Sequence, residues 1–310
     1  MDKVNVLYCF DSNFWRMASV SIESMLSNAK DTTLITVHCI VAPGTKGYRK
    51  IKKIIKSHKS GAGLVWRVIK PKDNPYQDYN NVGWSPATYY RLLACRFFSH
   101  LDKILYLDSD TLVCRDIAEL YNTDISDYVF GAVRDMANIN DEKNALGMVI
   151  RNFSEKYLNN GPYYNTGVSL LNIKKMAENE HLLFETKVPL RFVDQDLLNA
   201  AFVGKIKTLP LKYNLAPCSG VPSHFTKEEA DEINAGGHVI LHCYWVKFWD
   251  KERCNKFVYD LYNKYCNNVG ITSEYFVKAM QKRAKKKKTF VPFVKMLKKT
   301  MSFFGVETQE

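Results

Sequence analysis

The first hundred or so residues alternate in a way that few architectures can absorb. Apolar runs rich in β-branched and aromatic side chains are each followed by a stretch with helical spacing. Residues 4–10 read as a buried strand and 14–27 as a helix, with Met17, Val20, Ser21, Ser24 and Met25 near one face. A strand at 34–41 and a helix at 46–58 repeat the unit. A strand at 64–69, a helix at 86–98 and a strand at 103–107 complete it. The order β-α-β-α-β-α-β predicts an α/β domain with a mostly parallel sheet flanked by helices. Its ligand should sit beyond the carboxyl ends of the strands. The second half is more mixed. Residues 129–133, 163–172 and 239–242 read as strands, and 194–202 and 254–268 as helices. The stretch 136–160, rich in Asn, Glu and Lys, has no clear period and reads as a loop.

At 310 residues and 46% hydrophobic content, the chain can bury one large core. Its eight cysteines form no C-x-x-C pair, and several lie inside apolar runs, so free buried thiols in a reducing compartment are expected rather than a zinc ribbon. The start, MDKVNVLYCFD, reads as a first strand and not as a signal peptide, and no stretch is long and apolar enough to span a bilayer. The net charge of +12 is uneven. Residues 278–299 hold ten of the 44 basic residues and no acid, which leaves the first 277 residues at a net +4.

The chemistry centres on KILYLDSDTLV, 103–113, where an apolar strand delivers Asp108 and Asp110 to its carboxyl end. Residues two apart on a continuing strand share a side, so both carboxylates can approach one hard divalent cation. Such an ion keeps positions open for phosphate. An isolated D-x-D also occurs as a solvated turn. Ionised carboxylates behind an apolar strand, however, need a partner.

LYLDSD, then YYNTGVSLLN at 163–172, DQDLLNAAF at 194–202 and HCYWVKFW at 242–249 occur in an order that resembles family 8 glycosyltransferases, from about residue 4 to 249. That group includes bacterial lipopolysaccharide galactosyl- and glucosyltransferases and glycogenin. The resemblance implies a GT-A fold, a UDP-sugar donor, a manganese-type ion (Mg²⁺ being the alternative) and retention of anomeric configuration. It marks Asp108, Asp110 and His242 as metal ligands, with Ser109 beside the nucleotide. Two carboxylates and an imidazole suit Mn²⁺ better than Mg²⁺. His242 could otherwise be a core or surface histidine.

The same resemblance assigns Cys9, Asp11, Asn13 and Phe14 to a nucleotide-binding edge, where Asp11 would accept from uracil and Phe14 would stack. Asp11 or Ser12 could equally N-cap the helix. Arg91 resembles the arginine that holds the donor sugar, or is a helix-surface charge in an ion pair. Asp135 and Asn165 resemble sugar-hydroxyl ligands, although Asn165 could be a turn residue before Gly167. Asp194 and Gln195 resemble the pair beside the anomeric carbon. Gln195 is a poor nucleophile, which favours front-face attack, and Asp194 is the nearby candidate for a true nucleophile. One acid of 194–196 could simply cap its helix. Lys247 resembles a diphosphate-binding lysine in a pattern close to H-x-x-G-x-x-K-P-W. Here the spacing from His242 is one residue shorter, the glycine is absent and Phe248 replaces the proline. A surface role for Lys247 is the other reading.

The expected division is a catalytic domain at 1–250, a helical extension at 251–277 and a basic amphipathic tail at 278–310. In the tail, Phe293, Leu297, Met301 and Phe304 oppose Lys295, Lys298, Lys299 and Ser302. That pattern, after the Lys run 282–288, suits an anionic membrane surface, and a disordered solvated run is the plain alternative. A Lys run binds any polyanion, but no recognised nucleic-acid fold accompanies it and no specific nucleic acid is expected. The leading expectation is a UDP-galactose- or UDP-glucose-dependent hexosyltransferase on the cytoplasmic face of a membrane. Its acceptor would be an oligosaccharide or glycolipid, such as lipopolysaccharide, lying over 136–160 and 217–236. Extension of a protein (adhesin) glycan, a nucleotidyltransferase or phosphohydrolase, and a non-catalytic membrane- or nucleic-acid-binding protein are the competing classes.

Overall fold

The structure, a computed structural model, describes residues 1–76, 85–135, 145–215, 236–243, 247–252 and 254–278. Nine strands are present among them: β1 (Asp2–Phe10), β2 (Thr33–Val41), β3 (Gly61–Val68), β4 (Lys103–Leu107), β5 (Thr111–Val113), β6 (Phe130–Arg134), β7 (Tyr164–Asn172), β8 (Ile206–Thr208) and β9 (Ile240–His242). The helices are α1 (Trp15–Asn28), α2 (Tyr48–Ser57), α3 (Ala94–Phe97), α4 (Ala118–Tyr121), α5 (Ala145–Tyr157), α6 (Ile173–Glu178), α7 (His181–Glu185), α8 (Asp194–Ala201) and α9 (Lys256–Asn268). No described helix is long and apolar enough to cross a membrane.

Seven strands form one sheet in the order β3-β2-β1-β4-β7-β6-β8. β3, β2, β1 and β4 run parallel, and β6 and β8 are parallel to each other. Only β7 is reversed, antiparallel to both β4 and β6. The expected mostly parallel, helix-flanked sheet is therefore what the chain builds. β1 shows why its apolar run is continuous. Val4, Val6, Tyr8 and Phe10 pack in the core layer under α1 and α2. Leu7 and Cys9 face the opposite layer, with Tyr89, Leu92 and Phe98. A strand covered on both faces has no solvent side to mark with polar residues.

A polar thread crosses the first layer. The buried hydroxyls of Tyr8 and Ser21 are 3.0 Å apart, Ser21 lies 2.8 Å from Thr111, and Thr111 donates to the Asp108 carbonyl at 2.9 Å. Ser24 accepts the Val113 N–H at 3.0 Å. The serines on the inner face of α1 thus dock the short strand β5. The free cysteines Cys9, Cys39, Cys95, Cys243, Cys254 and Cys266 are buried, as expected, and Cys114 is half-buried.

Four expectations change. Residues 86–98 are not one α-helix: Pro86–Leu93 is a 3₁₀ helix, capped by Ser85 Oγ on the Ala87 N–H, before α3. The 136–160 loop contains α5, whose Ile150 and Phe153 bury against Tyr163 in a small satellite cluster. That apolar stripe is narrow, and the polar residues around it hide its period. α1 starts at Trp15 with Phe14 at its N-cap and no side-chain cap, so neither Asp11 nor Ser12 caps it. Finally, β4 ends at Leu107 as read, but the strand does not continue through the carboxylate pair, which lies in the turn beyond it. α9 packs on α1, with Asn28 donating to Tyr265 Oη at 2.6 Å and Asn268 to Glu23 at 3.0 Å. The segment 217–235 and the tail from 279 onward lie outside the described residues.

Candidate active site

Asp108 and Asp110 sit in a turn rather than on a continuing strand. The Asp108 N–H donates to the Gly167 carbonyl at 2.7 Å, and the Thr111 N–H folds back onto the Asp108 carbonyl at 3.2 Å. β5 then pairs antiparallel with β9, which sets Thr111 opposite His242. The Cys243 N–H also donates to the Asp110 carbonyl at 3.0 Å. The carboxylates therefore converge because two short strands hold the turn against a histidine far along the chain. His242 Nε2 lies 3.4 Å from Asp108 Oδ2 and 3.4 Å from Asp110 Oδ1. The three ligand atoms lie within 4.8 Å of one another.

Gly167 of the YYNTG motif makes this approach possible. A Cβ there would fall 2.1 Å from His242 Cε1 and 2.7 Å from Asp108 Oδ2. The glycine is needed for space, not for its backbone angle.

A chain of amides fixes which histidine nitrogen faces the carboxylates. The Gly167 N–H donates to Asn165 Oδ1 at 3.0 Å, which identifies the oxygen end of that amide. Asn165 Nδ2 then donates to Asp135 Oδ2 at 3.1 Å. Asn214 Nδ2 donates to Asn165 Oδ1 at 2.8 Å, so Asn214 turns its own oxygen to His242 Nδ1, 3.0 Å away. His242 Nδ1 must carry its proton, and in the neutral ring Nε2 keeps a lone pair aimed between the carboxylates. Burial alone would push this imidazole down, but the two carboxylates outweigh it and hold it up, at about 9. A divalent cation and the Nε2 proton compete for the same place. Two carboxylate oxygens and one oriented imidazole nitrogen form a fitting set for a Mn²⁺- or Mg²⁺-type ion. Ser109 Oγ, buried beside them, has no hydrogen-bond partner among the described residues.

Arg91 is the hinge between this corner and the next. It is 4% exposed, so its charge needs partners. Nη2 donates to Asp108 Oδ1 at 3.0 Å and Nη1 to the Thr166 carbonyl at 2.6 Å. The guanidinium stacks 3.9 Å over the Tyr106 ring, whose hydroxyl donates to Asp108 Oδ1 at 2.5 Å. Nε lies 2.7 Å from Asp194 Oδ2 but directs its N–H to the Thr88 carbonyl at 3.3 Å. Arg91 and Asp194 thus form an ion pair without a directed hydrogen bond, and Asp194 Oδ2 has no hydrogen-bond donor among the described residues. Burial dominates at Asp194 and lifts its carboxyl to about 7 despite the arginine. At Asp108 burial also works upward, yet Arg91 and His242 hold the carboxyl below its ordinary range.

Gln195 is held at both ends. Its Oε1 accepts the Thr166 N–H at 3.0 Å, and its Nε2 donates to Asp135 Oδ2 at 3.2 Å and Tyr163 Oη at 3.1 Å. Tyr163 in turn donates to Asp196 Oδ1 at 2.6 Å. Asp196 Oδ2 accepts the Phe192 N–H at 2.8 Å, so the carboxylate that tethers the start of α8 is Asp196. Val193, the residue before α8, has φ 48° and ψ −121°, a conformation β-branched residues avoid. Strain at this position delivers Asp194 and Gln195 inward on the first turn.

Asp11 lies just past β1 and is already engaged. Its carboxylate accepts the Asn13 N–H at 2.7 Å and the Ser85 hydroxyl at 2.7 Å. Phe14 beside it is half-buried. Cys9, one residue short of the strand end, is buried, and burial pushes its thiol well up. Lys247, despite its shortened spacing, reaches the site: Nζ lies 3.4 Å from Asp110 Oδ2 and donates to the Cys243 carbonyl at 2.7 Å. Burial lowers the affinity of this lysine for its proton, but the neighbouring Cys243 and Asp110 raise it further.

The structure thus joins Asp108, Asp110, His242, Lys247, Arg91, Asp194, Gln195, Asp135 and Asn165 in one continuous polar network. Asp11, Asn13 and Phe14 form a separate edge tied to Ser85. Sequence reasoning missed Asn214, Tyr106, Tyr163 and Thr166, and offered Asp196 only as one of the acids that could cap its helix. The NTG turn hinted at Thr166, whereas Asn214, in LKYNL, carries no local signal.

The profile of the Glycosyl transferase family 8 matches residues 5–253. The lipopolysaccharide 1,2-glucosyltransferase of Escherichia coli is 30% identical over 219 residues, covering 68% of this chain and 62% of that protein. The lipopolysaccharide 1,3-galactosyltransferase of Salmonella typhimurium is 24% identical over 233 residues, covering 69% and 64%. The alignments span less than two thirds of these relatives' own length. Among solved structures, the galactosyltransferase LgtC in complex with donor and acceptor sugar analogues superposes with a TM-score of 0.69 at 22% identity, over 89% of this chain and all of that one. The bifunctional glycosyltransferase WbbM gives 0.67 at 20% identity, over 90% of this chain and 51% of that one. The parallel sheet, the carboxylate turn and this match over 5–253 place the chain in glycosyl transferase family 8, with the GT-A fold.

Proposed function

We propose that this protein transfers a hexose, galactose or glucose, from a UDP-sugar to an oligosaccharide acceptor such as a lipopolysaccharide core. The observation that carries the reading is the convergence of Asp108, Asp110 and His242 beside the Arg91–Asp194–Gln195 cluster. The named activities of the lipopolysaccharide glucosyl- and galactosyltransferases it resembles support the donor and acceptor class.

Asp108, Asp110 and the Nε2 of His242 would hold a Mn²⁺-type ion, which when bound neutralises charge on the departing diphosphate. Lys247 adds a cation on the Asp110 side. Arg91 and Asp194 would orient the donor sugar, with Asp135 and Asn165 facing its hydroxyls. Cys9, Asp11, Asn13 and Phe14 would take the nucleoside.

Both ends of the Gln195 amide are engaged, which fits a positioning role rather than nucleophilic attack. The acceptor hydroxyl would attack the anomeric carbon on the face of the leaving diphosphate. The new carbon–oxygen bond forms as the old one breaks, and the acceptor proton passes to the departing phosphate oxygen, with retention of configuration. Trapping a sugar covalently on Asp194 would sink this reading.

The catalytic domain in this proposal is 1–250, braced by 251–277. The tail, 278–310, would rest on an anionic membrane at the cytoplasmic face. UDP release from a panel of UDP-sugars, with and without Mn²⁺, tests the function. Pyrophosphate release in place of UDP would favour a nucleotidyltransferase.

A further inference from the structure

The first 277 residues carry 34 basic and 30 acidic groups, but this near balance is not local. Seven of the basic residues fall in the fourteen positions 46–59, which contain no acid. Without that stretch the rest of this region has 27 basic groups against 30 acidic ones, a small negative charge. The positive charge of the folded body is concentrated on α2.

α2 sorts these residues cleanly. Ile51, Ile54 and Ile55 are buried against the sheet. Arg49, Lys52, Lys53 and Lys56 are exposed and recur at helical spacing, so they form one outward stripe. Among the described residues, no carboxylate lies within ion-pairing distance of any of the four. Like charges at i,i+4, here Arg49–Lys53 and Lys52–Lys56, weaken a helix. A solvated face usually mixes signs, whereas this stripe keeps a repulsion that only an external anion relieves.

The stripe lies beside the site and beside the start of the tail. The loop into α2 borders the nucleotide edge, since Ser12 Oγ donates to the Gly44 carbonyl at 3.1 Å. Gly47, which caps α2, packs on Trp15 so closely that a Cβ would come within 2.8 Å of the ring. The neighbouring Arg16 lies 4.3 Å over the Trp15 ring and 4.2 Å over the Tyr275 ring, and donates to Tyr275 Oη at 2.8 Å. Three residues on, at Lys278, the described chain stops. The 32 residues after it carry nine lysines and arginines. The anchored end of the tail and the capped end of α2 are therefore neighbours.

We propose that the outer face of α2 is a docking surface for an anionic lipid bilayer. The proposal rests on the membrane-surface reading above for the identity of the anion. Lysine predominates six to one over arginine in 46–59, which suits a diffuse layer of headgroups better than a clamp on one phosphate. The half-exposed Tyr48, edge-on to Trp66, supplies an aromatic at the margin of the stripe, where bilayer interfaces favour one. Docked this way, the carboxyl ends of β1 and β2 lie next to the bilayer, within reach of a lipid-linked acceptor.

The test is co-sedimentation of the full chain with vesicles of phosphatidylcholine, with and without phosphatidylglycerol. The variant K52Q/K53Q/K56Q should lose about tenfold or more in partitioning onto the anionic vesicles. K52R/K53R/K56R should bind like the parent. K174Q/K187Q/K205Q, which removes three charges elsewhere, should also bind like the parent. Soluble-donor turnover by the α2 variants should match the parent, and the thermal midpoint should hold or rise as repulsion is relieved. Undiminished sedimentation of the glutamine variant would overturn the proposal, as would equal binding to neutral vesicles. So would an α2 stripe that binds duplex nucleic acid but not vesicles. Failure of the functional reading would show instead as absent UDP release by the parent chain, whatever the vesicle result.

Discussion

Two corners of the same polar network treat carboxylates in opposite ways. At Asp108 and Asp110, burial is overcome by Arg91, His242 and Lys247, and both carboxyls are held below their ordinary range. At Asp194 and Asp196, burial wins, and the carboxyls rise to about 7 and about 6. Arg91 touches both corners, so distance from a cation does not explain the difference. Asp110 also has Lys247, and the pair shares an imidazole, whereas Asp194 has Arg91 alone. The first corner stays anionic, as the proposed cation site requires. The second is built to hold a proton cheaply and to position Gln195.

The largest effect expected from breaking this contrast is at the anionic corner. Asp108→Asn or Asp110→Asn keeps the shape but removes a ligand charge, and should cost on the order of a hundred- to a thousandfold in donor turnover. The thermal midpoint should fall little in comparison. Turnover that persists with Mn²⁺ would remove the metal-site reading.

Next is Asp196→Asn, which separates the corners by pH. A carboxyl raised in the fold stabilises fully below the unfolded value and loses that contribution as pH climbs through the folded one. For Asp196 the rise from 3.8 to about 6 corresponds to about 3 kcal/mol. Urea unfolding from pH 4 to 7 should show the parent losing roughly this much relative to Asp196→Asn, mostly by pH 6. Parallel curves would mean that Asp196 is ionised in the fold without penalty.

Gly167→Ala should cost about 1–3 kcal/mol in unfolding free energy, because the methyl meets the His242 ring. Turnover should drop further than stability alone explains, since the displaced groups, the His242 ring and the Asp108 carboxylate, are those proposed to hold the ion. Unchanged activity would show that the histidine can move without consequence.

The finest test is Asn214→Leu, which removes the acceptor that fixes the His242 tautomer while leaving the three proposed ligands in place. Loss of such a supporting hydrogen bond typically weakens metal affinity by about ten- to a hundredfold. Mn²⁺ titration by calorimetry, run beside urea unfolding, would separate this from a general loss of packing.

The parallel half of the fold was legible because β1, β2 and β4 are covered on both faces, and α2 shows one apolar side. Legibility fell where a pattern was short or mixed. α5 carries its buried Ile150 and Phe153 within a polar stretch, and β5 spans three residues, too few to show a period. Lys247 looked displaced by its spacing, yet its side chain bridges back to the Asp110 turn.

The sequence alone determined that Asp108 and Asp110 follow an apolar strand, and that His242 ends a later one, because hydrophobic runs and their ends are local properties. Tertiary structure decided that the two carboxylates meet the histidine across the β5–β9 pair and not along a continuing β4. It alone decided that a bare Cα at Gly167 makes room for the imidazole, and that Asn214 and Asn165 dictate which nitrogen faces the ligands. Those facts depend on contacts between residues dozens of positions apart, and no local pattern encodes them.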